Sequence, residues 1–176
     1  MRRAELEHII RAAAAITNER EFVIVGAAAL LGSVPVPPPD LAQTLEADIY
    51  PSRKPELASL IEGSIGELSA FHDTHRFYAH GVGPETATLP AGWEGRLVAI
   101  QGPATHDAVG YCLEVHDLAA SKLVAGREKD WEFVQALLRW QIVAGDRLRD
   151  RIAQLPVPAE DQRRLAARLA ALQPGA

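Results

Sequence analysis

The chain has 176 residues, of which 48% are apolar and 23% charged, a balance typical of a globular domain that can bury a full core without metal or disulfide staples. Its formal charge of −5 argues against a protein coated by nucleic acid over its whole surface, while leaving room for a local basic patch. The single cysteine, Cys112, excludes an internal disulfide and a cysteine metal cluster, and reads as a small buried hydrophobe. No apolar run approaches the ~20 residues of a membrane span. The basic start "MRRAELEHII" is interrupted by Glu5 and Glu7, unlike a secretory signal. The expectation is a soluble cytoplasmic protein of one domain, or one domain with a helical appendage.

In chain order, Leu6, Ile9, Ile10 and Ala13 recur at i, i+3, i+4 and i+7, which predicts an amphipathic helix over about residues 4–17. "EFVIV" (Glu21–Val25) is a short β-branched run and predicts a buried strand. Gly26 ends it, and "AAALLG" predicts a short helix whose small side chains permit close packing. "SVPVPPPD" (Ser33–Asp40) holds four prolines in eight residues, so it predicts a stiff exposed connection rather than a strand or helix interior. In "TLEADIY" (Thr44–Tyr50), Leu45, Ala47 and Ile49 alternate with Glu46, Asp48 and Tyr50, the period of a half-buried strand.

Pro55 opens the next helix, with an apolar stripe through Leu57, Leu60, Ile61, Ile65 and Leu68. "RFYAHGV" and "GRLVAIQG" predict two further strands. Three helices follow, in "HDLAASKLVAG", "EKDWEFVQALLRWQIV" and "PAEDQRRLAARLAAL". The order predicts an α/β core over residues 1–110 and a helical region over residues 111–176 packed on it.

Two features point to chemistry. Alternation sets Glu46 and Asp48 on one face of their strand, about 7 Å apart, where two carboxylates can share a hard divalent cation that also binds substrate phosphates. The same pattern also arises on any solvated strand face. Gly26 follows a strand and opens a helix, where backbone N–H groups can meet phosphate; it also suits a plain tight turn. Farther on, Asp117, Lys122, Arg127 and Asp130 crowd around Gly126. Lys supplies a point charge to phosphate and Arg a fork, and the same set can equally be an ion-pair lattice joining two helices.

"VGAAAL" and "LEADIY" resemble the small-residue helix start and acidic-x-acidic strand of the polymerase-β-type nucleotidyltransferase superfamily. "YAHGV", "TATLPAGWEGRLV" and above all "HDLAASKLVAGREKDWEFVQALL" resemble a bacterial branch related to abortive-infection nucleotidyltransferases, the toxin half of certain toxin–antitoxin pairs. The resemblance spans roughly residues 5–144. It implies a small mixed β-sheet nucleotidyltransferase-like core flanked by helices. Gly26, Ala27 and Ala28 would meet the triphosphate, and Glu46 and Asp48 would ligate Mg²⁺ or Mn²⁺. Lys122 would approach the phosphates, with Arg127, Lys129 and Asp130 forming the charged cluster after it. The activity implied is transfer of a nucleoside monophosphate from an NTP to an acceptor, with tRNA the acceptor that the toxin resemblance favours and an antitoxin protein as partner.

The chain also departs from the superfamily pattern. Ala27 stands where a hydroxyl residue is common, and Glu46 where Asp is commoner. A third carboxylate, usual on a later strand, is missing from "RLVAI" (Arg96–Ile100), although Glu94 and Glu114 flank it. That departure keeps an alternative open, a catalytically inactive nucleotide-binding or partner-binding member of the fold. Of the remaining polar residues, His72, His75 and His80 read as surface or hydrogen-bonding histidines. Trp93 reads as a loop anchor. The arginines of residues 147–168, interleaved with acids, read as a solvated helix face.

Overall fold

A computed structural model describes residues 1–172. Its centre is a five-stranded mixed sheet in the order β3-β2-β1-β5-β4: β1 (Glu21–Val25), β2 (Glu46–Pro51), β3 (Tyr78–Gly81), β4 (Val98–Ile100) and β5 (Val109–Cys112). β1 pairs antiparallel with β2 and parallel with β5, while β2 pairs parallel with β3 and β4 antiparallel with β5. The helices are α1 (Arg3–Thr17), α2 (Leu30–Ser33), α3 (Ala58–Ile65), α4 (Ala70–His75), α5 (Val115–Ala125), α6 (Glu128–Arg139), α7 (Gly145–Ala153) and α8 (Ala159–Leu172). This is the α/β core with a helical C-terminal part that the sequence pattern predicts. None of the described helices is long and apolar enough to cross a membrane.

α1 forms as its periodicity dictates. Leu6, Ile9, Ile10, Ala13 and Thr17 are buried on one stripe, Glu5 Oε2 accepts the Arg2 N–H at 2.7 Å at its start, and Asn18 closes it in the left-handed conformation. The stripe packs on the sheet where β5 carries Gly110, a position where a Cβ would come within 2.4 Å of the Ile10 side chain. α2 also lies close, since a Cβ on Gly32 would come within 2.5 Å of Cys112 Cβ. Cys112 is fully buried, and burial pushes its thiol up to about 12, so it behaves as the hydrophobe expected.

The structure differs from the sequence expectation in three elements. The helix predicted from Pro55 through Leu68 begins as a 3₁₀ turn and stops at Gly66. Leu68 takes a positive φ, and α4 restarts with Ser69 as its cap, the Ser69 hydroxyl accepting the His72 N–H at 3.2 Å. β5 lies across residue 110 and within the sheet, a four-residue strand too short and too glycine-bearing to show a period. α7 carries only Leu148 and Ile152 as buried anchors, one turn apart among charges, so it lacks the apolar stripe that would single it out within the helical region. Beyond Ser33, which ends α2, the proline segment forms no regular element, as expected.

One buried charge ties the C-terminal helices to the rest. Asp117, in the first turn of α5, is 0% exposed. Arg96 donates to both of its oxygens, at 2.8 and 3.0 Å. Arg151 of α7 places Nε 2.9 Å from Asp117 Oδ1, close enough for an ion pair though not aligned as a hydrogen bond. Arg96 also donates to Ala91 O at 3.0 Å, so a single carboxylate joins α5, α7 and the segment before β4. Beside it, Glu114 caps α5 by accepting the His116 and Asp117 N–H groups. The His116 ring lies with Nδ1 2.6 Å from Glu114 Oε1, and its Nε2 accepts the Ala144 N–H at 3.1 Å. That arrangement requires the neutral ring with its proton on Nδ1.

Removing the Asp117 carboxylate leaves two arginines facing each other without their shared counter-ion. Asp117→Ala is expected to cost roughly 3 kcal/mol, the low end for breaking a buried pair, because both arginines keep about a fifth to a quarter of their side chains exposed. Urea unfolding of the two proteins measures it.

Candidate functional site

β2 presents Glu46 and Asp48 on the same face, and its antiparallel register sets Asp48 opposite Val25, the last residue of β1. The next residue, Gly26, turns the chain with φ +64°. A Cβ built there would lie 2.0 Å from Asp48 Oδ2, so only glycine admits both this turn and this carboxylate. The 3₁₀ turn that follows (Ala27–Ala29) has its first internal bonds from Ala29 N–H to Gly26 O and from Leu30 N–H to Ala27 O and Ala28 O. The N–H groups of Ala27 and Ala28 precede those bonds, as in the first turn of any helix.

β3 lies alongside in parallel, with Tyr78 in register with Glu46 and His80 with Asp48. The Tyr78 hydroxyl donates to Glu46 Oε2 at 3.1 Å, and His80 Nδ1 lies 2.9 Å from Asp48 Oδ1. Burial raises the Asp48 carboxyl above its ordinary range, and the neighbouring Glu46 charge adds to this, outweighing the hydrogen bond from His80 and the charge of Lys122. For His80, burial works to lower the imidazole pKa, but the hydrogen bond and charge of Asp48, with Glu62 and Glu46 nearby, leave it raised.

Facing these strands are the end of α5 and the start of α6. Lys122 Nζ lies 3.1 Å from Asp130 Oδ1, and Arg127 Nε lies 2.7 Å from Asp130 Oδ2. Asp130 is 0% exposed. Burial would raise its carboxyl, but the hydrogen bonds and charges of Arg127 and Lys122 hold it below the usual carboxylate range. The Lys122 ammonium also sits 5.6 Å from the Phe133 ring centroid, within cation–π reach. The Arg127 guanidinium feels Asp48 and Glu46 as well as Asp130. The two walls therefore communicate electrostatically across the space between them.

That space is a cleft of about 980 Å³. Ala27, Glu46, Asp48, Tyr78 and His80 line one side, and Lys122, Arg127, Lys129, Asp130 and Arg139 the other. The segment Asp40–Leu45 borders it. Asp40 accepts a close hydrogen bond from Arg139 and two from Trp140 Nε1, at 3.1 and 3.3 Å, which ties the end of the proline-rich connection to the end of α6.

Seven of the nine residues singled out from the sequence thus surround one cleft: Ala27, Glu46, Asp48, Lys122, Arg127, Lys129 and Asp130. Gly26 stands behind Asp48, and the Ala28 side chain is buried, so these two can contribute only backbone. Sequence reasoning missed Tyr78, Arg139 and Asp40; His80, read as a surface or hydrogen-bonding histidine, is half exposed and bonded to Asp48. The signal for the β3 pair was its alternation, Tyr78-x-His80, matched to Glu46-x-Asp48, but pairing partners are set by sheet order, which one strand's pattern does not carry. Glu94 and Glu114, the two acids flanking β4, are not among the cleft residues. Glu94 lies near Tyr50 and Glu114 caps α5.

The donor set suits a hard divalent cation. Tyr78 and His80 each engage one oxygen of a carboxylate, leaving the second oxygen of Glu46 and of Asp48 outside those bonds. One or two carboxylates, completed by water and phosphate, are what Mg²⁺ commonly uses. Among the described residues no group of three or more His, Cys, Asp or Glu side chains is placed to hold a metal ion, so any ion here would rest on the two carboxylates with water and phosphate.

A family model described as a nucleotidyltransferase of unknown function (DUF6036) matches residues 4–169. The chain belongs to that family. No curated protein and no solved structure matches it.

Because ionised Asp48 is disfavoured in the fold, the cleft lowers stability wherever that group is charged. Its folded pKa lies above its unfolded one, so the penalty is absent below the unfolded pKa and complete above the folded one. Asp48→Asn is expected to raise stability at neutral pH by ~0.5–2 kcal/mol, the range common for such relief. The gain should shrink to nothing as pH falls below the ordinary carboxylate range. Thermal unfolding of both proteins from pH 3 to pH 8 checks this.

Proposed function

We propose that this chain binds a nucleoside triphosphate in the cleft and transfers its nucleoside monophosphate to an acceptor hydroxyl. The observation that carries this reading is the pairing of opposite charges across one cavity, Glu46 and Asp48 on the strands against Lys122, Arg127 and Lys129 on the helices, in a chain of a nucleotidyltransferase family. Each set alone has a structural explanation. Together they match what a phosphate–cation complex requires, carboxylates for the cation and cations for the phosphates.

Glu46 and Asp48 would hold Mg²⁺ or Mn²⁺ through their free oxygens, and such an ion neutralises charge at the reacting phosphorus. Lys122, at 16% side-chain exposure and fixed by Asp130, would present its ammonium to the phosphates as a positioned point charge. Asp130 orients Lys122 and Arg127 rather than touching substrate. Arg127 and Lys129, near the mouth, would take the outer phosphates, and the backbone at Gly26–Ala28 closes the other side. In-line attack of the acceptor oxygen on the α-phosphorus forms the new P–O bond, and the bond to the β-phosphate breaks to release pyrophosphate. The finer assignment, to the toxin branch with tRNA as acceptor and an antitoxin as partner, rests on the likeness of "YAHGV", "TATLPAGWEGRLV" and above all residues 116–138.

A second reading has its own observation. The other acids of the cleft are already engaged, Asp40 by Arg139 and Trp140, and Asp130 by Lys122 and Arg127, apart from Glu132 on α6. No free carboxylate stands on β3, the strand beside the pair, to accept the proton of an attacking hydroxyl. A protein so built would bind nucleotide and signal its presence without transferring it.

Isothermal titration of the four NTPs, with and without Mg²⁺, against the wild type and a Glu46→Ala/Asp48→Ala double variant tests the site. Micromolar, Mg²⁺-dependent binding that is lost in the double variant is expected, a loss of at least tenfold. Absence of binding for every nucleotide overturns both readings. Pyrophosphate release on adding total tRNA separates the transferase from the sensor.

A further inference from the structure

The Asp48 carboxylate is held from two directions. On one side the Gly26 backbone lies beside Oδ2, so near that an added Cβ would come within 2.0 Å of it. On the other, His80 Nδ1 stands 2.9 Å from Oδ1. A carboxylate only accepts, so Nδ1 carries the hydrogen and donates. The final torsion of an aspartate is soft and roughly two-fold, so nothing in the side chain itself would choose where its oxygens point. The choice comes from outside, and His80 is placed to make it by the strand register, Asp48 with His80.

Glu46 has a matching partner in the Tyr78 hydroxyl at 3.1 Å, but the two pairs are not equal. Asp48 has only 18% of its side chain exposed, and a glycine backbone lies beside it. Its orientation decides where Oδ2, the oxygen that His80 leaves free, points; here it lies beside Gly26, next to the cleft-lining Ala27.

We propose that His80 is the positioning residue of this cleft, fixing the Asp48 carboxylate in the orientation from which its free oxygen and Glu46 can share a divalent cation. The inference rests on the nucleotidyltransferase reading for the cation's purpose, and adds to it a residue outside the set read from the sequence. Partners that orient a ligating side chain commonly change metal affinity by 10–100-fold when removed.

The test uses Mn²⁺ alone as the probe, titrated into the full chain and followed by the loss of the free-ion paramagnetic resonance signal. The proteins are the wild type, Asp48→Ala, His80→Ala and His80→Asn, with thermal unfolding run on each to confirm that it is folded. Asparagine keeps an N–H donor near the position of Nδ1. His80→Ala is expected to weaken Mn²⁺ binding roughly 10–100-fold, and His80→Asn to recover it to within a few-fold of wild type. If His80→Ala binds as the wild type does while Asp48→Ala fails, His80 does not position the site and the inference falls, with the cation reading intact. If His80→Asn is folded yet as weak as His80→Ala, the hydrogen-bond account falls. If the wild type takes up no Mn²⁺ at millimolar concentration, the cation reading falls and this inference with it.

Discussion

The register of β2 against β1 is the constraint from which the cleft follows. Asp48 pairs with Val25, so its side chain arrives where β1 has just ended and Gly26 has turned the chain away. Had β2 slipped by one residue, Ala47 and Ile49 would face the cleft and both carboxylates would enter the core, because side chains alternate strictly along a strand. The slip is prevented by the apolar half of β2. Ala47 and Ile49 are fully buried, and their burial holds Glu46 and Asp48 on the opposite face. Hydrophobic packing on one side of the strand thereby sets the position of charge on the other.

The opposite wall is held by a different force. α5 and α6 meet at Gly126, which closes α5 in the left-handed conformation, and Asp130 is buried beneath the corner between Lys122 and Arg127. A buried carboxylate with two cationic partners is weak evidence for added stability, since desolvation offsets much of the attraction. Its value lies in direction. It keeps Lys122 from extending into solvent and leaves it on the cleft surface facing Asp48. The ion-pair lattice is what the structure shows at these residues, and it would supply the rigidity that the proposed phosphate-binding role needs.

What the sequence showed depended on how local its cause was. α1, β1, β2, α5 and most of α6 were legible because each carries its own period over enough residues. The candidate site was legible to the same extent, since Glu46 and Asp48 alternate within one strand, and Lys122, Arg127, Lys129 and Asp130 fall within nine positions. β5 was not legible, and α7 only as an undivided stretch of the helical C-terminal part. β5 (Val109–Cys112) is a strand because β1 and β4 pair with it on its two sides, and α7 is a helix because Leu148 and Ile152 find a core to enter; neither fact is written in the segment itself. The break at Gly66 depends on Ser69 being available to cap a new helix. The partners of the carboxylates were hidden for the same reason, because Tyr78 and His80 reach them only through the order of strands in the sheet. Asp40 meets Arg139 and Trp140 across about a hundred residues, which no spacing argument could supply.

The two walls also differ in what charge costs them. Asp130 and Asp117 are fully buried carboxylates, each met by two cations, and Asp130 lies below the usual range because its charge is welcome. Asp48 is the reverse. It is mostly buried, its anionic neighbour is Glu46, and His80 and Lys122 compensate incompletely, so its charged form is disfavoured. A fold free to maximise stability would place an amide or an apolar residue there. The arrangement becomes favourable when positive charge enters the cleft from outside. A cation bound between Glu46 and Asp48 would remove their mutual repulsion and replace lost solvation with direct coordination, and because it would bind the folded chain and not the unfolded one, it would stabilise the fold by mass action. The electrostatic deficit at Asp48 and the surplus of cations at Lys122, Arg127 and Lys129 are thus complementary. A divalent ion would relieve the first and phosphate the second, and a cation–phosphate complex would relieve both at once.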